Sequence, residues 1–141
     1  MRTDLRSWND VASLICFAPF DVVMDKSTSD SISTSEPFTF ARSDYGDDMC
    51  PTVRTVVEES GAPELTLSPV ETLALHLVPL TEVGTTWFSL SYSTFRFDNM
   101  RVLGKYWTVI SRTPLKAPAG EVFSSAHAPE IFHWLYILKR M

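Results

Sequence analysis

The chain is poor in the residues from which compact catalytic and cofactor signatures are built. It has five glycines in 141 residues, too few and too scattered for a glycine-rich phosphate cradle. It has two cysteines, Cys16 and Cys50, whereas a secreted disulfide framework uses more of them in a shorter chain. No Cys-x-x-Cys pair occurs, and His76, His127 and His133 do not fall at a zinc-ligand spacing. No serine sits in a Gly-x-Ser-x-Gly elbow. The apolar stretch Ile131–Leu138 is interrupted by His133 and is far short of the ~20 residues of a membrane helix. Met1-Arg2-Thr3-Asp4 leads into charged sequence and lacks a signal-peptide core, and Arg2 excludes N-myristoylation. The expectation is a cytoplasmic, reducing setting with no transmembrane segment, no cofactor and no metal.

What is present fits one folded body. Hydrophobic residues make up 45% and charged residues 21% of the chain, a balance that excludes global disorder. Its length suits a single domain spanning residues 1–141. Aromatic residues reach 12%, which favours sheets and interfaces. Net charge is −5, so the chain as a whole is a poor match for phosphate backbones or anionic lipid. The charge is uneven. Residues 21–64 carry ten acids against Lys26, Arg42 and Arg54, a net of −7. Residues 101–141 carry six bases against Glu121 and Glu130, a net of +4.

Local patterns predict a mixture of helices and strands. Leu5, Trp8, Ala12 and Ile15 follow Thr3 and Asp4 at helical spacing, predicting an N-terminal helix over 4–16 that Pro19 ends. Phe20–Met24 reads as a short strand. Residues 25–36 are rich in Ser, Thr and acid and predict a mobile loop. Phe38 and Phe40 alternate with polar neighbours as in a strand, and the valines of 52–58 predict another. Ser68-Pro69-Val70-Glu71 is a capping box with Pro at the first helical position, so 68–80 is read as a helix, although Leu73, Leu75 and Leu77 also alternate as a strand would. Phe88, Leu90 and Tyr92 alternate with Ser89, Ser91 and Ser93, which predicts a strand with the aromatic and aliphatic side inward. Residues 101–112 predict its hairpin partner, central in the sheet. Pro129-Glu130 opens an apolar segment read as a C-terminal helix, with a strand as the alternative because of its β-branched and aromatic content. The fold class expected is α+β: a mainly antiparallel sheet built on the 85–112 hairpin, with an N-terminal and a C-terminal helix.

Several strings invite a chemical reading. Tyr45-Gly46-Asp47-Asp48 resembles the metal-binding turn of RNA-dependent RNA polymerases. In those enzymes the turn joins apolar strands beside a further carboxylate. Here the flanks are Ala41-Arg42-Ser43-Asp44 and Met49-Cys50-Pro51, and the chain is too short for a polymerase, so the string reads as an acidic turn. Asp47 and Asp48 beside Cys50 disfavour its thiolate, and Cys16 reads as packing on a helix face.

The basic residues Arg96, Arg101, Lys105, Arg112 and Lys116 gather on and near the hairpin with Tyr106 and Trp107 between them. They form a candidate interface, to which Phe132 and Tyr136 are added from the all-round apolar C-terminal segment. Three functions remain. The first is a non-enzymatic interaction or assembly protein that self-associates as a homo-oligomer or binds another protein. A small matrix-like, coat-like or accessory viral protein has this profile. The second is a binder of nucleic acid or an anionic membrane surface through the basic C-terminal part. The third is a small enzyme or ligand-binding domain without a local motif. The absence of catalytic constellations and the charge split favour the first.

Overall fold

Which strands are buried on both sides sets the architecture. The computed structural model describes residues 2–46, 48–116 and 132–141. β4 (Thr81–Ser91) pairs in parallel with β1 (Phe20–Lys26) and antiparallel with β6 (Phe132–Arg140). The far side of β6 pairs antiparallel with β5 (Trp107–Lys116). The result is a mixed four-stranded sheet of order β1-β4-β6-β5. A second, two-stranded antiparallel sheet joins β2 (Phe38–Ala41) and β3 (Glu64–Leu67). With the helices described below, the fold is α+β.

Two expectations about this sheet are corrected. The C-terminal segment is a strand, because Phe132, Trp134, Tyr136 and Ile137 favour an extended backbone and apolar side chains on both faces suit a central strand. It inserts between β4 and β5, so residues 85–112 do not form a hairpin. The chain between β4 and β5 is instead made of turns and a short 3-10 helix, Leu103–Lys105.

The helices differ from expectation in the same instructive way. The N-terminal helix is only α1 (Trp8–Ala12), followed by a separate 3-10 turn at Ile15–Phe17. The segment expected as a loop contains α2 (Thr28–Ser33), with Ser29 and Ile32 buried. Asp25 anchors α2: its Oδ1 accepts from the amides of Thr28 and Ser29 at 3.1 and 3.2 Å. Its Oδ2 accepts from the Trp87 indole N–H at 2.9 Å. The expected strand at 52–58 is α3 (Pro51–Ser60), which buries Thr52, Val53, Val56 and Val57. Gly61 closes it with φ 71°, a left-handed conformation that glycine adopts without a Cβ clash. The capping-box helix forms as expected, as α4 (Pro69–Leu77). The Glu71 amide donates to Ser68 Oγ at 3.2 Å, and the Ser68 amide donates to Glu71 Oε2 at 3.1 Å.

The helices pack on one side of the sheet. Trp107 donates its indole N–H to the Ala74 carbonyl of α4 at 3.1 Å. Trp87 meets Trp107 and Phe97 edge to face, each at 5.3 Å between ring centroids, and Phe97 meets Tyr136 at 4.9 Å. Trp87, Trp107 and Tyr136 are buried. Trp134 is half-buried, with the Arg112 guanidinium over its ring at 5.5 Å. On the far side of α4, His76 lies against Trp8 and its Nδ1 is 3.0 Å from the Leu5 carbonyl, which requires a proton on Nδ1.

Truncating Trp107 to Ala should cost ~3–5 kcal/mol, from the lost aromatic packing and the orphaned Ala74 carbonyl. Urea unfolding reads this, and a loss below ~1 kcal/mol would contradict the core assignment. Burial lowers the His76 pKa against the opposing pull of the Leu5 carbonyl. Between that lowered value and the unfolded value of ~6.5 the unfolded chain binds the extra proton. Stability should therefore fall as pH drops below ~6.5. A His76→Gln variant should lose this component of the slope.

Candidate interaction face

The central strand β4 shows which side of the sheet is left without a cover. Its residues Thr85, Ser89 and Ser91 are buried together with Trp87. Ser89 Oγ is 3.1 Å from Ser29 Oγ on α2. The serine side of β4 thus faces the helices, where small side chains let α2 come close. Phe88 and Leu90 point to the other side, and Tyr92, just beyond the strand, is 57% exposed. The sequence pattern predicts the reverse, with Phe88, Leu90 and Tyr92 as the inward side. The correction has a physical reason: Ser29 and Asp30 on α2 and the Ser93 amide and Arg96 Nε after β4 take hydroxyl partners, which Ser89 and Ser91 supply.

The strand registers extend this outer side across the sheet. Val22, Met24 and Lys26 stand beside Thr86, Phe88 and Leu90 on β1. Lys139, Ile137 and Leu135 stand beside the same three on β6. Leu115 on β5 is opposite His133, which packs edge-on to Tyr92 at 4.3 Å. Among the described residues no helix covers this side. Met24 is 79% exposed, Val22 50% and Leu115 41%, while Phe88, Leu90, Leu135 and Ile137 are half-buried by one another. A groove of about 430 Å³ crosses it, lined by Met24, Asp25, Lys26, Phe88, Leu90, Leu115 and Leu135. The one acidic residue of that lining, Asp25, spends its carboxylate on the Thr28 and Ser29 amides and the Trp87 indole. The two cations of the face are Lys26 and Lys139, and Lys139 Nζ is held by the Gly84 carbonyl and Thr86 Oγ1 at 3.1 and 2.5 Å.

The opposite side carries a fully bonded polar cluster. Asp30 of α2 accepts from Ser91 Oγ at 2.5 Å, from the Tyr92 amide at 2.9 Å and from Arg96 Nε at 2.9 Å. Burial pushes the Asp30 carboxyl up, but these donors and the Arg96 charge outweigh it and leave the pKa below the ordinary value. The cluster ties α2 to the end of β4. Its groups bind each other, which makes it a brace.

The structure disperses the residues nominated from sequence. Arg96 is paired with Asp30 at 2.6 Å, and Lys105 with Glu59 at 3.0 Å. Arg112 donates to the Thr94 carbonyl at 2.7 Å. Tyr136 is in the core: its hydroxyl donates to the Ser93 carbonyl at 2.7 Å and accepts from the Arg96 amide at 3.2 Å. Arg101 is exposed in a turn. Lys116 and Phe132 are register partners at the open end of the β5–β6 ladder, both exposed. Arg96, Arg112 and Tyr136 therefore meet around residues 93–96, whereas Lys105 reaches towards α3. Trp107, expected between these bases, is buried.

The remaining motifs have structural surroundings. Asp47 and His127 lie outside the described residues. Tyr45 packs under the Arg54 guanidinium at 5.4 Å, and Arg54 also donates to the Gly46 carbonyl at 3.0 Å. Cys50 is buried, and burial pushes its thiol pKa up. Cys16, expected to pack, is exposed. Among the described residues no group of three or more His, Cys, Asp or Glu converges as a metal site, and no helix is long and apolar enough to cross a membrane.

Replacing Asp30 by Ala should release α2 and leave Arg96 without its partner. A loss of about 2–3 kcal/mol is expected, less than the ~3–5 kcal/mol of a fully buried pair because both side chains touch solvent. The lowered pKa means that Asp30 stabilises the fold above its unfolded value of ~3.9, a contribution lost as pH falls through the folded value. Unfolding of wild type and variant across acid pH checks both statements, and equal stabilities at neutral pH would contradict them. Comparison with protein-family models, with curated proteins and with solved structures finds no match.

Proposed function

We propose that the protein is a non-enzymatic interaction and assembly protein that binds further copies of itself, and that the open side of its sheet is the surface it uses. The observation that carries this reading is the orientation of β4, which turns Phe88 and Leu90 away from the helices and Ser89 and Ser91 towards them. A strand that buries its serines and leaves its phenylalanine and leucine facing outward gives up hydrophobic stabilisation within the subunit. A partner that covers Met24, Phe88, Leu90, Leu115, Leu135 and Ile137 recovers it. Fully burying a large apolar side chain is worth about 1.5–3 kcal/mol. Four of the six are already half-buried, so covering the cluster recovers part of that value at each position, set against an association cost of ~4–15 kcal/mol.

The uneven charge plays a smaller part in this reading than its size suggests. Asp30–Arg96 and Glu59–Lys105 join the acidic and basic regions inside one subunit. What the open side offers a partner is mainly apolar area. Association through it should survive moderate salt, because screening acts on exposed charges and leaves apolar burial intact.

Sedimentation of the wild type across concentration tests the proposal, beside a Leu115→Glu variant. Leu115 is 41% exposed on the edge strand β5, so the substitution is tolerated by the subunit. The wild type should form larger species as concentration rises, and Leu115→Glu should weaken this at least about tenfold, equivalent to ~1.4 kcal/mol. A wild type that stays monomeric at its highest soluble concentration would overturn the proposal.

A further inference from the structure

We propose that β1 is a strand-addition edge, on which β1 of a second copy pairs antiparallel about a two-fold axis at Met24. The inference rests on the self-association reading and assigns its geometry.

The sheet has two edges, and they are built differently. β5 is blunted against pairing. It carries Pro114 and a register break in mid-strand between Val109 and Ser111, features that discourage addition of another strand. β1 has β4 on one side only. Among the described residues no hydrogen bond reaches its backbone from the other side. It contains no proline. Its one irregularity lies at its start, between Phe20 and Val22, which leaves Val22–Lys26 regular.

The register follows from that regular span, whose centre is Met24. With the two-fold axis there, Met24 meets Met24 of the second copy, and Val22 meets Lys26, all on the open side. On the helix side Val23 meets Asp25. A register centred on Val23 would set Asp21 against Asp25, a like-charge pair directly opposed. The Met24 register has no such pair.

Area supplies the second reason. Strands about 4.8 Å apart and about six residues long give a four-stranded face of roughly 400 Å². A stable interface uses about 800 Å² on each partner. One open face is too small; pairing through β1 joins two into one continuous face of roughly 800 Å², which a further pair can cover. The apolar stripe also reaches the β1 edge, where Val22 and Met24 are half or more exposed. The second copy continues the stripe without a break.

The test is disulfide trapping in a Cys16→Ser background, since Cys16 is exposed and Cys50 is buried. Under mild oxidation Met24→Cys should cross-link to itself. Val22→Cys should not, because the two copies of residue 22 lie about 13 Å apart along the strand at ~3.3 Å per residue. An equimolar mixture of Val22→Cys and Lys26→Cys should cross-link as the mixed dimer. If the wild type self-associates but Met24→Cys traps no better than Val22→Cys, the strand pairing is wrong and the assembly reading stands. If the wild type is monomeric throughout, both fail.

Discussion

A β-sheet has two faces, and in this chain the described helices cover one. That one-sidedness shapes the rest of the molecule. α4 is buried along almost its whole length because it fills the space between the sheet and the outer helices. It holds β5 through the Trp107 indole and the N-terminal segment through His76. α2 has only six residues, too short to be stable alone. It is fixed instead by Asp25 at its start and by Asp30 and Ser29 against β4. The helices and the polar brace together make a layer on the serine side of β4, and the opposite side is left apolar and open.

The polar brace also pairs part of the uneven charge inside the subunit. Acidic residues of the first half and basic residues of the second half meet inside the subunit, at Asp30–Arg96 and Glu59–Lys105. Arg112 and Tyr136 bind the backbone of residues 93–94. These groups stabilise the chain reversal after β4. The open side of the sheet has two lysines and a run of Val, Met, Phe, Leu and Ile side chains at its register positions.

Much of the fold is legible in the residues, and the failures share a cause. The capping box at Ser68–Glu71 marks α4 through a local hydrogen-bond pair, which needs no tertiary context. Phe38 and Phe40 mark β2 in the same local way. The valines of α3 suggest a strand by propensity, yet Val53, Val56 and Val57 sit at helical spacing behind Pro51, a signal that outweighs β-branching once the helix packs on α4. α2 is hidden because its stabilising partners, Trp87, Ser89, Ser91 and Arg96, are some sixty residues away. The C-terminal strand shows its aromatic and β-branched character plainly, but its place between β4 and β5 is a long-range choice. The alternation in β4 reveals the strand and both of its sides. Which side faces the helices depends on the hydroxyl needs of α2, so the open face is legible only as a pattern with two possible orientations.

The central claim is that the open face is buried when copies of the chain associate. It is tested most directly by the solvent exposure of the Met24 methyl group, followed by NMR with a soluble paramagnetic probe as protein concentration rises. Met24 is 79% exposed in the single chain, and Ile15, at 46% in a 3-10 turn off the sheet, serves as the reference. The account predicts that the Met24 signal becomes shielded from the probe on concentration while the Ile15 methyls do not. A Met24 methyl that stays equally accessible at every concentration would contradict it.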